Sequence, residues 1–367
     1  MRVLLTGADG FLGWHSRVRL RALTDHEIVP VARANWSELG RLAQGVDAIV
    51  HIAGVNRATP AEVEHGNVEL AASVAAAARG AGSSPRIVFA NSIQAGNDSP
   101  YGTAKAMASD VLEAAANEIG SAYVDVRLPN LFGEHGRPRY NSFVATFVDA
   151  VIKGERPAID DRGVALLHAQ DAAQSLIDAV TTCDKQLRPA GTDTTVQSVF
   201  DLLTAHNDLY TGGDIPPLPG KFETDLFNTL RAGLFPGHYP IVLTAHSDNR
   251  GRLVETVRAH GGQGQTFVST TLPGITRGEH FHLGKVERFV VLSGQARISL
   301  RRVFTEEIVT FDVSGETPAV VDMPTMWVHN ITNIGDTELT TLFWTQTLFD
   351  PAAPDTYWEP VAPAPAS

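Results

Sequence analysis

A doubly wound parallel α/β unit followed by an all-β jelly roll is the fold class this sequence predicts. Three observations predict it. The chain up to about Val180 alternates short apolar runs with helical patterns. From Ile241 it turns to short segments rich in Val, Thr and Phe with Gly turns between them. The length of 367 residues exceeds what one hydrophobic core usually spans.

In the first part, "RVLLTG", "EIVPVAR", "AIVHIAG", "RIVFANS" and "AYVDVRLPN" read as strands, and "ELAASVAAAARGAG" and "AKAMASDVLEAAANEIG" as helices. "TTCDKQLRPAGTDTT" and "DIPPLPGKF" carry the Gly and Pro punctuation of loops around a small helical region. The expected division is 1–240, with a core over 1–180 and a smaller substrate subdomain over 181–240, then a β domain over 241–360. A disordered tail is expected over 361–367 ("PVAPAPAS" at the end of the chain).

A net charge of −12 argues against nucleic acid or an anionic membrane as partner. The single cysteine, Cys183, excludes an intrachain disulfide, fits a cytoplasmic protein and reads as a small buried side chain. The opening "MRVLLTG" enters a strand directly, and no apolar run reaches membrane-spanning length.

"VLLTGADGFLG" places Gly7, Gly10 and Gly13, with Phe11 and Leu12 between, where a first strand turns into a helix. Such a turn brings backbone close to a pyrophosphate at the helix N-terminus. The second strand ends at "VPVARAN" with no carboxylate for a ribose hydroxyl. Arg33 stands there instead, which suits a 2′-phosphate and predicts NADP(H) over NAD(H). Tyr101 and Lys105 are four apart and share a helix face, and Ser92 ends the preceding strand. The lysine charge is expected to lower the tyrosine pKa and make Tyr101 a proton donor near neutrality.

With these residues in order, the first 180 or so residues resemble extended short-chain dehydrogenases/reductases acting on nucleotide sugars. The resemblance extends to "HIAGVNR", "GNVELA" and "RLPNLFG". It implies catalytic roles for Ser92, Tyr101 and Lys105, cofactor contacts at Ala53, Gly54 and Asn67, and a substrate contact at Asn130. Arg137, Arg139 and Asn141 in "GRPRYNS" are candidates for the nucleotide end. Dehydratases of the family carry an acidic pair after the catalytic Ser or Thr. Here Ile93 and Gln94 follow Ser92, which argues for simple hydride transfer or transient oxidation.

The stretch "GITRGEHFHLGKVERFVVLSG" resembles the first cupin motif. His280 and His282, two apart on a strand, face one side, and Glu287 begins the next strand. "VDMPTMWVHNITN" offers His329, with Met326 where the family usually has glycine. Three His and one Glu suit Zn²⁺ first, then Fe²⁺, Ni²⁺ or Mn²⁺. Lys285, between the ligands, is a candidate base. The His–Asp base and Tyr acid of metal-free cupin epimerases are not seen at the corresponding positions.

Both halves together resemble the bifunctional capsular-polysaccharide enzymes of UDP-N-acetyl-L-fucosamine biosynthesis. "VHIAGVNR", "SIQA", "PYG", "PNLFG", "YNS", "DNRG", "PGITRG", "VLSG", "HNI", "NIGDT" and "FDPAAPDTY" carry that resemblance nearly end to end. It implies metal-dependent C3 epimerisation of a UDP-4-keto-6-deoxy-HexNAc in the cupin, then NADPH-dependent reduction of the C4 ketone in the Rossmann domain. The product would be of the UDP-2-acetamido-2,6-dideoxy-L-talose type, made by a homodimer. A reductase whose cupin only binds sugar or dimerises is the alternative. A non-enzymatic NADPH sensor would have no need of the Ser92, Tyr101 and Lys105 trio.

Overall fold

The computed structural model describes residues 1–362. It divides into two compact units, one of 1–146 and 159–196, the other of 147–158 and the described residues from 197 onward. The helical segment after Val196 therefore clusters with the β-rich part of the chain.

The first unit is built on a six-stranded sheet in the order Glu27–Val31, Arg2–Thr6, Ala48–His51, Arg86–Ser92, Tyr123–Leu128, Gln186–Leu187. Every pairing is parallel. Buried on both faces, these strands need continuous apolar runs, and Val3, Leu4 and Leu5 are fully buried. Helix Pro60–Arg79 starts with a capping box, Thr59 and Glu62 exchanging hydrogen bonds, and has Pro60 in its first turn. It packs with helix Pro100–Glu118 over one face of the sheet through small side chains such as Ala71, Ala75, Ala108 and Ala115.

In the second unit two antiparallel five-stranded sheets form the expected jelly roll, of cupin-like type. One runs Ile241–Val242, Ala319–Met323, Glu287–Ser293, Leu339–Thr345, Gln265–Thr271; the other runs Ile308–Ser314, Gln295–Arg302, Trp327–Asn333, Thr276–Phe281, Tyr357–Trp358. The segment "IVLTAHSDNRG" is not one strand. It splits into Ile241–Val242 and an exposed hairpin, Ala245–Asp248 with Gly251–Val254, whose turn is closed by Arg250 on Asp248.

Helices Val196–Tyr210 and Lys221–Leu234 lock onto this unit through buried charge. Arg288 makes a bidentate pair with Asp322, at 2.7 and 2.9 Å, and both side chains are fully buried. Tyr210 donates to the same carboxylate at 2.7 Å and bonds the Tyr239 hydroxyl. Burial alone would raise the Asp322 pKa, but Arg288 outweighs it and holds the carboxyl below its usual value. Arg231, also fully buried, donates to the Met323 carbonyl at 3.0 Å and to Asn228 at 2.7 Å.

Two expectations change. Cys183 is exposed rather than buried, because it lies in the turn region between helix Ala169–Asp178 and the short Gln186–Leu187 strand. Val361, assigned to the tail, is buried. Its N–H donates to Glu279 at 2.6 Å and its carbonyl accepts from Arg301 at 2.7 Å, so two side chains on the sheet hold it in place. Residues 363–367 of the expected tail lie outside the described residues.

Removing one partner of a buried ion pair leaves the other uncompensated, which costs about 3–5 kcal/mol. Asp322→Ala should therefore lower the stability of the second unit by about that amount in urea unfolding. Breaking a surface pair such as Arg297–Asp312 should leave the urea midpoint nearly unchanged in the same assay.

Candidate functional site

In the first unit the glycine turn is set by close backbone contact. A Cβ on Gly13 would sit 2.0 Å from the Gly7 carbonyl oxygen, so only glycine allows the helix to begin there. Gly10 is the N-cap of helix Phe11–Leu23 and offers no side-chain cap. The N–H groups of the first turn, from Phe11 and Leu12 onward, are left for an outside acceptor. Thr6 was not anticipated. Its hydroxyl bonds His51 Nδ1 at 2.7 Å and accepts from the amides of Ile52 and Ala53, fixing the neighbouring loop. Asn67 clamps the same loop from the other side, accepting from Val55 N–H and donating to Val55 and Val63 carbonyls. Gly54 is the residue it packs against. Arg33 is exposed just past the end of the second strand.

Ser92, Tyr101 and Lys105 come together where strand Arg86–Ser92 meets helix Pro100–Glu118. Tyr101 is hydrogen-bonded to Ser92. The expectation that Lys105 lowers the tyrosine pKa is corrected. Burial raises Tyr101, and the bond to Ser92 only partly opposes this. The Lys105 ammonium is not on the phenol. It donates to the Ala90 carbonyl at 2.9 Å and lies 4.4 Å from the centre of the Phe89 ring. Burial brings Lys105 itself down to about 8, with Asp125 opposing.

Asn130 is exposed at the start of strand Asn130–Phe132, and Arg137, Arg139 and Asn141 are exposed in the loop beyond it. Tyr140 adds an unforeseen element there. Arg137 lies 5.3 Å and Arg57 5.9 Å from its ring centre. Aromatic stacking holds these guanidinium groups while leaving them exposed.

In the second unit His280, His282, Glu287 and His329 converge, their donor atoms all within 4.8 Å of one another. His280 and His329 are cross-strand partners, and a bulge between Gly278 and His280 turns His280 inward. Gly278 adopts φ +100°, and a Cβ there would meet the His329 carbonyl oxygen at 2.8 Å. His282 Nε2 and His329 Nε2 lie 3.0 and 3.3 Å from Glu287 Oε2. Each imidazole bonds a backbone carbonyl through its outer edge: His280 to Gly278, His282 Nδ1 to Asp355, His329 Nδ1 to Trp327. Such bonds fix the tautomer and aim the other nitrogen at the centre. Burial lowers His280 to about 3, helped by His329 and His282. Burial would raise Glu287, but His282 and His329 outweigh it and keep its carboxyl well below the usual range. Three imidazoles and a carboxylate, with the His280 and His329 pKa values lowered by burial and that of Glu287 held below its usual range, are a donor set that fits a divalent metal.

Met326 takes the left-handed backbone that glycine would supply, at φ +61°. That strain costs roughly 1–2 kcal/mol. Its fully buried side chain offsets the cost, since deleting a buried Met costs roughly 2–5 kcal/mol. Lys285 does not face the cluster of His280, His282, Glu287 and His329. Its ammonium donates to the Pro354 carbonyl at 2.7 Å and the Thr356 hydroxyl at 3.2 Å, so its candidacy as base is not supported by its position.

An α/β unit with a glycine turn and a cupin-like jelly roll with a four-donor cluster thus occur in one chain. Residues 3–190 match the NAD dependent epimerase/dehydratase family, and residues 246–357 the polysaccharide biosynthesis C-terminal domain. The chain belongs to that epimerase/dehydratase family. It is 31% identical to the UDP-2-acetamido-2,6-beta-L-arabino-hexul-4-ose reductase of Pseudomonas aeruginosa, over 97% of this chain and 98% of the relative. It also resembles the crystal structure of the capsular polysaccharide assembling protein CapF from Staphylococcus aureus. Identity there is 32% and TM-score 0.61, covering 98% of this chain and all of that one. The UDP-N-acetylglucosamine 4-epimerase of Methanobrevibacter ruminantium shares the fold, at 18% identity and TM-score 0.54, over 63% of this chain and 97% of that one.

Two further histidines of the first unit make acid a specific threat. Burial lowers His15 to about 4 and His51 to about 3 from 6.5. Each is neutral when folded and takes a proton when unfolded, so its contribution is present above pH 6.5 and is lost as pH falls toward 4. Each group contributes about 1.4 kcal/mol per pH unit in that window. The expected fall for the two together is about 3 kcal/mol per unit between pH 6.5 and 4, read by urea unfolding at stepped pH. His51→Asn should remove about half of that slope.

Proposed function

We propose that this protein converts a UDP-4-keto-6-deoxy-HexNAc in two steps: epimerisation at C3 in the second unit, then reduction of the C4 ketone in the first. The observation that carries the reading is the pairing, in one chain, of a Ser92–Tyr101–Lys105 cluster with the converging His280, His282, Glu287 and His329. The full-length Pseudomonas and Staphylococcus relatives support it, since both are described by work on this class of sugar or polymer.

The chemistry requires two sites. A C3 proton beside a C4 ketone is acidic by enolisation, and the developing negative charge needs a cation or hydrogen-bond donors nearby. His280, His282, Glu287 and His329 would hold a divalent ion, Zn²⁺ foremost, which when bound supplies that positive charge at the carbonyl oxygen. The residues themselves present three lone pairs and one carboxylate, oriented by the carbonyls behind them.

In the first unit NADPH, when bound, supplies the hydride. The chain's own part is proton transfer and alignment. The Ser92 hydroxyl, beside Tyr101, bonds the ketone oxygen, and Tyr101 gives that oxygen its proton. The raised pKa of Tyr101 keeps the phenol protonated, as a donor must be. Lys105, tied to the Ala90 carbonyl, holds a positive charge 6.0 Å from the centre of the Tyr101 ring. Arg33 is the partner for the 2′-phosphate that separates NADPH from NADH. Asn130, Arg137, Arg139 and Asn141, with Arg57 and Tyr140, are the groups for the nucleotide diphosphate.

Incubation with the 4-keto sugar in D₂O, without NADPH, reports epimerisation as loss of the C3 proton signal. His280→Ala should abolish that loss while NADPH-dependent reduction of a preformed C3-inverted ketone continues. Tyr101→Phe should do the reverse, lowering reduction roughly 10²–10⁴-fold with exchange intact. A C3 proton that persists in the wild type, with reduction on adding NADPH, would leave the jelly roll as a sugar-binding or dimerisation module. Arg33→Ala should raise KM for NADPH by roughly 10–100-fold, the loss of one charge-assisted contact, and leave KM for NADH nearly unchanged.

A further inference from the structure

Between the ligands His282 and Glu287 the chain makes a four-residue loop, 283–286, that bonds none of its N–H groups within itself. Leu283, Gly284 and Lys285 N–H all donate to the Asp355 carboxylate, at 2.8, 3.0 and 2.9 Å. Val286 N–H donates to Gln346 at 2.6 Å. The Gly284 carbonyl accepts from Asn228 at 2.9 Å, from helix Lys221–Leu234. The loop that spaces two metal donors is therefore shaped by side chains distant in sequence.

Asp355 also acts at a second point. Its own backbone carbonyl accepts from His282 Nδ1, the bond that turns His282 Nε2 toward Glu287. It does so from a left-handed conformation, φ +43°, which aims carbonyl and carboxylate at the same loop. The segment carrying it is strapped along the ligand-bearing strand. Tyr357 pairs with Phe281 and Trp358 with His280, Glu359 N–H donates to the Glu279 carbonyl at 2.9 Å, and Glu359 pairs with the buried Arg301 at 2.8 Å. "FDPAAPDTY", set apart by the sequence but given no role in the reaction, contains this residue.

We infer that Asp355 is a positioning residue of the metal centre: its carboxylate gathers the 283–285 amides and its carbonyl orients His282, together setting the distance between His282 and Glu287. The inference rests on the four-donor cluster being a metal site, and extends it to a residue that is not one of the four donors. Outer partners of this kind are worth roughly 10–100-fold in metal affinity.

The test uses the full-length protein, stripped of metal and titrated with Zn²⁺ against a chromophoric chelator, with Co²⁺ absorption as a second readout. Asp355→Asn is the informative variant. Asparagine tolerates the left-handed backbone and keeps the carbonyl, but its amide nitrogen cannot accept, so one side of the three-amide grip is lost. Asp350→Asn, in the same strap, is the control. Its carboxylate accepts from Ala352 N–H at 2.9 Å and touches no ligand or ligand loop. The expected result is a 10–100-fold weaker Zn²⁺ affinity and a shifted Co²⁺ band for Asp355→Asn, with Asp355→Glu recovering part of the affinity and Asp350→Asn matching the wild type. Unchanged affinity and spectrum in Asp355→Asn, even with a lower Tm, would overturn the inference and leave Asp355 a structural cap only. Equal weakening in Asp350→Asn would overturn it too, because the strap as a whole would then be responsible. A wild type that binds no Zn²⁺ would sink the metal reading and this inference together, a result distinct from either of the others.

Discussion

Two adjacent charges on one strand, Glu287 and Arg288, organise the second unit. A strand points successive side chains to opposite faces, so Glu287 enters the jelly roll among three histidines while Arg288 leaves it toward Asp322 and Tyr210. Both are buried, and both have partners that only this register provides. A slip of one residue would turn Arg288 to the face of the imidazoles and Glu287 to the face of Asp322. That makes the register of Glu287–Ser293 strongly specified, more so than its apolar residues alone would make it. Arg231 adds to this by holding the carbonyl of Met323, the cross-strand partner of Glu287. The helices that pack on the outside thus bear on where Glu287 stands on the inside.

The first unit solves a different problem with backbone rather than charge. Its turn must leave N–H groups open and let two chain segments approach closely. The glycines do the first by providing no cap and the second by having no Cβ. Thr6 and Asn67 then fix the loop at the end of the third strand from two sides. Beside it, in the cluster of Ser92, Tyr101 and Lys105, burial rather than a neighbouring charge dominates the two resolved ionisations. Lys105 and Tyr101 both move toward their neutral forms. A phenol that stays protonated fits a step in which a ketone oxygen must receive a proton.

Much of this was legible in the residue order because the relevant physics is local. Alternation of apolar runs marked the parallel strands, and the four-residue spacing of Tyr101 and Lys105 marked one helix face. The two-residue spacing of His280 and His282 marked one strand face. Other features were not legible. Asp355 lies 73 residues from His282, and nothing in "FDPAAPDTY" says that its carboxylate will bond three amides of a distant loop. Tyr210, Arg288 and Asp322 each read as ordinary polar residues until packing removes water from all three. Lys285, sitting between His282 and Glu287 in sequence, invited a catalytic role, but the strap at Pro354 and Thr356 turned it away.

The sequence by itself determined the fold class, the order of its two parts and the donor types at each candidate site. Those follow from periodicity, glycine placement and side-chain chemistry within a few residues. Only the tertiary structure decided which way the donors point, how burial moves their pKa values, and which distant groups hold them. Orientation of His282 depends on a carbonyl brought in by the end of the chain, and ionisation of Glu287 on two imidazoles from separate segments. Such effects arise from exclusion of water and from contacts across long sequence separations, neither of which a local pattern encodes.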